Sequence, residues 1–141
     1  KYGAQGRSAA VQINQEYESD KQMIIFPAGL VSRKQKGGEI KDLQWQKAFI
    51  AKAIEYQRDI IPVFFEGLNS PFFYNFAKWR KCSGLKFNIE QVLLPSEVCK
   101  SRGKHFRIHI GRPISWQSLK QSDRTPIQLA DDIKAAVYQL S

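Results

Sequence analysis

The sequence predicts an α/β domain with a mostly parallel sheet and flanking helices. Short apolar runs of strand length alternate with segments whose apolar residues recur at helical spacing. Met23–Phe26 and Ile60–Phe65 are continuous apolar runs, a pattern typical of strands buried on both faces. Because strands separated by helices are usually joined by crossovers, the alternation favours parallel pairing.

The predicted helices come from periodicity and from start signals. Apolar residues recur on one helical face over Arg7–Tyr17 and Leu43–Tyr56. Two more helices begin where a hydroxyl residue, able to cap the helix, precedes a proline at the first helical position. These starts are Ser70-Pro71 and Thr125-Pro126.

Two further strands are predicted towards the C-terminal end. One is Asn88–Leu94, and the other is Lys104–Ile110, where apolar and polar residues alternate. Alternation with a period of two predicts a strand with one apolar and one solvated face. The solvated face is predicted to hold His105, Arg107 and His109. The polar, glycine-containing stretch Ser32–Asp42 is predicted to be a loop.

The composition excludes several classes of protein. The chain has 141 residues, of which 43% are hydrophobic and 25% charged, and two cysteines. These values exclude bulk disorder and a disulfide scaffold, and no apolar run approaches the roughly 20 residues of a spanning helix. The net charge is +9, and the segment from Ser70 to Arg124 holds 11 basic but only three acidic residues. This asymmetry indicates an anionic partner, such as nucleic acid, a lipid surface or a phosphorylated ligand.

The passage from Ile24 to Arg33 is the most informative part of the sequence. A predicted strand ends at Pro27, and the chain continues through Gly29 into a loop with Arg33 and two lysines. In open α/β sheets, ligands bind beyond the carboxyl ends of the strands. Guanidinium and ammonium groups placed there suit an anion. A plain turn followed by a solvated basic loop accounts for the same residues.

Three passages together resemble the lysophospholipid (glycerolipid) acyltransferase family. The third block of that family reads Phe-Pro-Glu-Gly-Thr-Arg-Ser, and this chain has Phe26-Pro27-Ala28-Gly29-Leu30-Val31-Ser32, followed by Arg33. The fourth block is an apolar strand containing proline, matched by Ile60-Ile61-Pro62-Val63. The strand end Ile110-Gly111-Arg112-Pro113-Ile114 is similar to the family's Ile-Gly-x-Pro-Ile. The pattern is most similar to a bacterial branch whose members are named acyltransferases or haemolysins.

The resemblance implies an O-acyltransferase that moves an acyl group from acyl-CoA or acyl-carrier protein to the hydroxyl of a lyso-lipid, either a lysophospholipid or a lyso-amino-acid lipid. The third block binds the acceptor, often through its phosphate. Ala28 replaces the family's Glu and Val31 replaces its Arg, which argues against a phosphate-bearing acceptor and leaves Arg33 as the candidate for an anionic head group. Relatives in the bacterial branch that acylate phosphorus-free ornithine or glycine lipids suggest an acceptor class. The acceptor-binding residues implied are Phe26, Pro27, Ala28, Gly29, Ser32 and Arg33, with Pro62 shaping the neighbouring strand end.

The family's catalytic block, Asn-His-x-x-x-x-Asp, does not occur in this sequence. Its His is the general base for the acceptor hydroxyl, whereas His105 and His109 lack both the preceding Asn and the following Asp. The block precedes the Phe-Pro block in the family. Residues 1–141 are therefore expected to be the C-terminal portion of a single acyltransferase-like domain, inactive by itself. No metal and no cofactor other than the acyl donor is expected, since the two histidines would lie roughly 13 Å apart on a strand.

The helix predicted from Pro71 combines aromatic and basic side chains. This combination is typical of helices that lie on an anionic bilayer, although the aromatic residues would also suit packing against the sheet. The predicted membrane-contact residues are Phe72, Phe73, Phe76, Lys78, Trp79, Arg80 and Lys81. The expected location is cytoplasmic, peripheral on the inner face of the cell membrane.

Two other functions fit parts of the sequence. A nucleic-acid-binding module would use the basic segment and its aromatic residues as a phosphate track with stacking platforms. A non-catalytic acyltransferase-like domain would bind lipid only. The acyltransferase interpretation predicts a lyso-lipid, an acyl donor and an anionic membrane as partners, and no nucleic acid. It leaves the oligomeric state open.

Overall fold

The computed structural model describes the backbone of residues 2–82 and 92–141, and their side chains except those of residues 2–7, 77, 78 and 80–82. Six helices and four strands lie in these ranges. Their order is α1 (Tyr2–Glu18), β1 (Arg33–Lys34), β2 (Ile40–Lys41), α2 (Ala48–Glu55), β3 (Val63–Glu66), α3 (Pro71–Cys82), α4 (Leu94–Lys100), β4 (Arg107–Ile110), α5 (Trp116–Gln121) and α6 (Pro126–Tyr138).

The hydrophobic core lies between α2, α5 and α6 and is bounded by one face of β3. Ile50 and Ala130 are fully buried in it. The other buried members are Trp45, Phe49, Ala53, Leu119, Leu129, Ile133 and Val137. The predicted start of α6 is confirmed, because Thr125 and Gln128 form a capping box in which each side chain accepts the other's backbone N–H.

The end of α1 is held against the end of α2. The Arg58 guanidinium donates to the backbone carbonyls of Tyr17 (3.0 Å), Lys21 (2.6 Å) and Ser19. Carbonyls at a helix C-terminus lack partners within the helix, so Arg58 satisfies groups that would otherwise need water. The rings of Tyr17 and Tyr56 stack with centroids 5.3 Å apart, and burial raises the pKa of Tyr17.

Both sheets in the described ranges are two-stranded and antiparallel. β3 pairs with β4 so that Val63 lies opposite Ile110 and Phe65 opposite Ile108. The predicted mostly parallel sheet is therefore not found in the part of the chain that the structure describes. Alternation of strands and helices does not determine strand direction, which depends on the end of the sheet at which each connection returns.

Two predicted strands differ from the structure. Met23–Phe26 forms no strand, and Ile24 and Phe26 are 86% and 83% exposed. A strand needs a neighbour for its backbone N–H and C=O groups, and none pairs with this segment among the described residues. Residues 88–91 lie outside the described ranges, and the predicted strand Asn88–Leu94 ends in helical structure, because Leu94 begins α4.

The predicted loop Ser32–Asp42 is instead a short hairpin formed by β1 and β2. Gly37 and Gly38 form its turn with φ angles of +100° and +94°, which glycine adopts without strain. The Gln35 N–H donates to the Glu39 carbonyl over 2.7 Å and closes the hairpin. A polar composition predicts solvent exposure, but it does not distinguish a loop from a solvated hairpin.

Candidate functional site

The turn from Phe26 to Gly29 has an open side. The Gly29 N–H donates to the Phe26 carbonyl over 3.0 Å, and Gly29 has a φ of +65°. Residues with a Cβ atom rarely adopt this conformation, so glycine lets the turn close without strain. A Cβ atom built on Gly29 would meet no atom within 4 Å. A ligand can therefore approach the backbone closely at this point.

The rest of the turn is attached to the fold. The Pro27 carbonyl accepts the backbone N–H of Gln46 over 2.9 Å, and Ala28 packs against the hydrophobic core. The side chain of Phe26 is exposed. Pro27 and Ala28 thus position the backbone, and Phe26 presents an apolar ring to the surroundings.

Ser32 is fixed by a carboxylate at the far end of the hairpin. Its hydroxyl donates to Asp42 Oδ1 over 2.6 Å, and the Trp45 indole N–H donates to Asp42 Oδ2 over 3.1 Å. Trp45 is buried in the core, so its N–H needs a partner to offset the cost of desolvation. Asp42 supplies that partner and attaches the Ser32 side chain to the start of α2.

Side chains of α6 also hold the backbone of Asp42. The Asp42 N–H donates to the Tyr138 hydroxyl oxygen over 2.9 Å. Lys134 donates to the carbonyls of Asp42 and Leu43 over 2.9 and 2.8 Å. Burial raises the pKa of the Tyr138 hydroxyl, so Tyr138 is neutral at physiological pH. The hairpin end is therefore held by both α2 and α6.

Arg33 and Lys34 place positive charge beside the turn. Arg33 Nη1 donates to the Val31 carbonyl over 2.8 Å and lies 3.4 Å from the Ser32 carbonyl. Lys34 is exposed, and its ammonium lies 3.4 Å from Asn75 Oδ1 of α3. This contact belongs to a packing interface between β1 and α3. The structure thus brings together β1, which follows the Phe26–Gly29 turn in the sequence, and α3, two segments that were predicted separately.

Three rings on α3 form a row that faces outwards, here called the aromatic row: Phe72, Phe76 and Trp79. Phe76 stacks on Phe72 and is tilted against Trp79, with centroids 6.0 Å apart in both pairs. Phe72 is 60% exposed and Trp79 is 62% exposed. The Lys100 ammonium of α4 lies 6.0 Å from the Phe72 centroid. Large exposed rings next to a cation are suited to the interface of an anionic bilayer.

The prediction that Phe73 contacts a membrane is wrong. Phe73 is fully buried and packs edge-on against Tyr74, with a centroid distance of 5.4 Å. The helix turns by about 100° per residue, so Phe73 lies on the inner side while Phe72 and Phe76 lie on the outer side. The side chains of Lys78, Arg80 and Lys81 lie outside the described residues. Within the described ranges, no helix has both the length and the apolarity to cross a membrane.

A buried carboxylate fixes the start of α3. Glu97 accepts the Ser70 N–H over 2.5 Å, the Ser70 hydroxyl over 2.9 Å and the Lys100 ammonium over 2.9 Å. The Lys100 ammonium, followed by the Ser70 N–H, lowers the pKa of Glu97 to about 2. The Ser70 hydroxyl oxygen in turn accepts the Phe73 N–H over 3.3 Å. The predicted Ser70 cap is confirmed, and Glu97 orients it.

Pro62 lies immediately before β3 and is buried. Its carbonyl accepts the Gly111 N–H over 2.8 Å. A Cβ atom at Gly111 would lie 3.2 Å from Leu140 Cδ1 and 3.4 Å from Pro62 Cβ. Glycine therefore allows the ends of β3 and β4 to approach the C-terminal end of the chain.

The two histidines do not form a catalytic or metal-binding arrangement within the described residues. His109 lies against Phe64, with a centroid distance of 6.1 Å, and its Nε2 is 3.7 Å from Glu66 Oε2. On the face of β4 that was predicted to be solvated, Arg107 is exposed and His109 is partly exposed. The prediction that the other face is covered is not met among the described residues, because Ile108 and Ile110 are exposed as well. In the two described ranges, no group of three or more His, Cys, Asp or Glu residues could hold a metal ion.

Sequence reasoning missed the two carboxylates that hold the candidate site. Asp42 lies three residues before Trp45 at the start of a predicted helix, which was its only local signal. Glu97 lies 27 residues from Ser70 along the chain. No local pattern connects residues at such a separation, so only the folded structure reveals that contact.

Comparisons with known proteins confirm the resemblance noted in the sequence. A family model described as "Acyltransferase" matches residues 1–138. The chain is 48% identical over 140 residues to a protein from Phocaeicola vulgatus named lyso-glycine lipid O-acyltransferase, covering 99% of this chain and 50% of that protein. It is 46% identical over 140 residues to a protein of the same name from Bacteroides thetaiotaomicron, covering 99% of this chain and 51% of that protein.

The chain spans about half the length of the curated relatives it matches. No solved structure matches it. The family match includes the Phe26–Gly29 turn, β3, α3 and the strand end from Ile110 to Ile114. On this match, the chain belongs to the acyltransferase family.

Proposed function

We propose that the full-length protein is an O-acyltransferase whose acceptor is a phosphorus-free lyso-lipid of the lyso-glycine type. The observation that carries this proposal is the identity of nearly half of all residues, over 99% of the chain, with two proteins named for that activity. Ala28 and Val31 support it, because they stand where acyltransferases with phosphate-bearing acceptors are expected to have Glu and Arg.

The reaction needs a hydroxyl nucleophile and a thioester. The acceptor hydroxyl oxygen attacks the carbonyl carbon of the acyl donor, acyl-CoA or acyl-carrier protein. An ester C–O bond forms, the C–S bond breaks, and the hydroxyl proton is transferred through a general base to the leaving thiolate. The sequence of this chain contains no Asn-His-x-x-x-x-Asp block, so we assign the base to another part of the full-length protein.

The role of this chain is then to bind and orient the acceptor. The open side of Gly29 admits a head group to the backbone, and Asp42 holds the Ser32 hydroxyl beside it. Arg33 and Lys34 add positive charge next to the turn, which suits the carboxylate of an amino-acid head group. Fixed groups of this kind lower the entropic cost of bringing the hydroxyl to the donor.

The aromatic row would place the site at the membrane where the acceptor resides. β1, which carries Arg33 and Lys34, packs against α3, so a bilayer in contact with α3 would lie close to these two basic residues. Rings of Phe72 and Trp79 would enter the interface, while Lys34 and Lys100 would face anionic head groups. This arrangement supports a peripheral location on a membrane, and we propose the inner face of the cell membrane.

Acyl transfer by the full-length protein tests the proposed reaction. With acyl-CoA or acyl-carrier protein as donor, a lyso-glycine lipid should be esterified faster than lysophosphatidic acid. Formation of the diacylated lipid and release of free thiol should occur in equal amounts. A preference for the phosphate-bearing acceptor would contradict the acceptor class. Lipid binding without any transfer would instead indicate a non-catalytic domain.

Vesicle binding tests the membrane contact. Replacing both Phe72 and Trp79 by alanine should weaken binding of the full-length protein to vesicles containing phosphatidylglycerol by about tenfold or more, since each exposed ring contributes on the order of 1 kcal/mol or more at an interface. Val11→Ala, at an exposed apolar residue of α1, is the control and should bind as the unmodified protein does. Unchanged binding of the double variant, or salt-dependent binding to single-stranded nucleic acid without vesicle binding, would overturn the membrane interpretation.

A further inference from the structure

The β3–β4 sheet has one face that no described residue covers adequately. We call it the outer face; its members are Ile61, Val63, Phe65, Phe106, Ile108 and Ile110. Their exposed fractions range from 41% for Phe106 to 71% for Ile110. Val63 lies opposite Ile110 and Phe65 opposite Ile108, and the rings of Phe65 and Phe106 stack with centroids 5.1 Å apart. The six side chains therefore form one contiguous apolar surface.

The exposed apolar area of the outer face is large for a monomeric protein in solution. Six large side chains, each roughly half exposed, amount to several hundred Å², which is at the upper end of the patches found on monomeric proteins. The face also belongs to a sheet with only two strands in the described ranges. A two-stranded sheet is marginal unless other elements pack on it. Both facts indicate a surface that is normally covered.

The charges of the sheet lie on the other face. Glu66, Arg107 and His109 alternate with the outer-face residues, and Glu66 Oε2 lies 3.9 Å from Arg107 Nε and 3.7 Å from His109 Nε2. All six members of the outer face are apolar. By contrast, the Lys100 ammonium lies 6.0 Å from the Phe72 ring of the aromatic row, and Lys34 contacts Asn75 on the same helix. A surface for an anionic bilayer needs such cations, so the outer face is better suited to an apolar polypeptide surface.

The pattern of β3 and the length of the relatives indicate what covers the outer face. Ile60–Phe65 is a continuous apolar run, typical of a strand covered on both faces. On its inner side, Phe64 packs against Tyr138 of α6 with a centroid distance of 5.9 Å. The chain spans only about half of the relatives it matches.

We infer that the outer face is an internal interface of the full-length protein, covered by the apolar side of an amphipathic helix from the half that this chain does not include. Helices packed on both faces of a sheet are a standard way to bury strands that are apolar on both sides. The inference depends on the length of the full protein and goes beyond the proposed reaction. A negative result in the acyl-transfer experiment would not contradict the proposed interface. A negative result for the interface would not contradict the proposed reaction.

Thiol labelling in the full-length protein tests this interface. Val63→Cys and Ile110→Cys are made singly in a background in which the native cysteines are replaced by serine, and their rates of maleimide labelling are compared with that of Gln117→Cys at an exposed position on α5. Without lipid, both outer-face thiols should label on the order of 100-fold more slowly than the control, because labelling then requires local opening. Labelling within a few-fold of the control rate would overturn the inference.

If the outer face is covered by something other than the proposed helix, the labelling rates should respond differently. Protection that appears only as protein concentration rises indicates a second copy of the chain, and protection that appears only with added vesicles indicates a bilayer. Either result contradicts the inference. Carbene footprinting of the unmodified full-length protein is a second measurement that needs no substitution. Modification of residues 106–110 should be much weaker than that of α5, and equal modification would contradict the inference.

Discussion

Asp42 and Glu97 each hold one of the two candidate functional segments, but through different partners. Asp42 accepts hydrogen bonds from the Ser32 hydroxyl and the Trp45 indole, which are both neutral. Glu97 accepts a backbone N–H and a hydroxyl from Ser70 and also pairs with the Lys100 ammonium. Asp42 fixes the β1–β2 hairpin that follows the Phe26–Gly29 turn, and Glu97 fixes the start of α3.

Burial determines how much an ion pair contributes to stability. Glu97–Lys100 and Glu55–Lys52 have the same residue types, three positions apart, at 2.9 and 2.7 Å. The side chain of Glu97 is 5% exposed, whereas that of Glu55 is 55% exposed. Solvated pairs contribute little to stability. A buried carboxylate with several hydrogen bonds becomes a fixed part of the fold.

The largest expected effect is that of Glu97→Ala. Loss of the carboxylate leaves the Ser70 N–H and hydroxyl without their partner, which should lower the free energy of unfolding by about 2–3 kcal/mol. The matched control Glu55→Ala should lower it by less than about 0.5 kcal/mol. Urea unfolding of the full-length protein measures both. Equal effects of the two variants would show that burial does not distinguish the pairs.

Acid should weaken the Glu97 contact. The folded pKa of about 2 lies below the ordinary value of 4.5, so the folded state binds fewer protons than the unfolded state between these pH values. The stabilisation is complete above about pH 4.5 and is lost as the pH falls towards 2. Glu97→Gln should therefore show a smaller loss of stability over this range than the unmodified protein, measured by urea unfolding at several pH values. An unchanged pH slope would contradict the assignment.

A smaller effect is expected at the other carboxylate. Asp42→Ala removes the partner of the buried Trp45 N–H and of the Ser32 hydroxyl, which should cost about 1–2 kcal/mol in unfolding free energy. It should also lower kcat/KM for the acceptor more than for the acyl donor, since Ser32 loses its fixed position. Asp131→Ala, an exposed aspartate on α6, is the control. If Asp42→Ala changes stability but leaves the acceptor kinetics unchanged, Asp42 is purely structural.

The smallest effect on stability is expected for substitutions of Gly29. Comparing two of them distinguishes the effect of backbone conformation on stability from the effect of ligand access on the acceptor KM. Gly29→Ala should cost about 1 kcal/mol, because φ is +65°, and Gly29→Asn should cost less, because asparagine tolerates this region better. Neither Cβ would meet a protein atom. If a head group approaches the backbone there, Gly29→Asn should raise the acceptor KM although stability is nearly kept. An unchanged KM would remove Gly29 from the acceptor site.

Local signals predicted the elements that depend on neighbouring residues. The starts of α3 and α6 followed from Ser70-Pro71 and Thr125-Pro126, because capping joins residues within one turn of helix. The turn at Phe26–Gly29 could likewise be located from Pro27 and Gly29. Two contacts could not be predicted, because they join residues that are far apart along the chain. Asp42 contacts Tyr138, which lies 96 residues away, and Glu97 contacts Ser70, which lies 27 residues away.

The residues alone were enough to predict the family and the starts of α3 and α6, whereas α1 and α2 begin at Tyr2 and Ala48 and not at the predicted Arg7 and Leu43. Which face of each strand is covered depends on tertiary packing. The alternation in β4 correctly separated His109 from Ile108 and Ile110, yet the apolar residues are exposed as well as Arg107 on the other face. Periodicity defines two faces of a strand, but burial depends on which element packs against each face. Here α6 packs against the face that holds Phe64 and His109, and the proposed partner for the other face lies in the remaining half of the full-length protein.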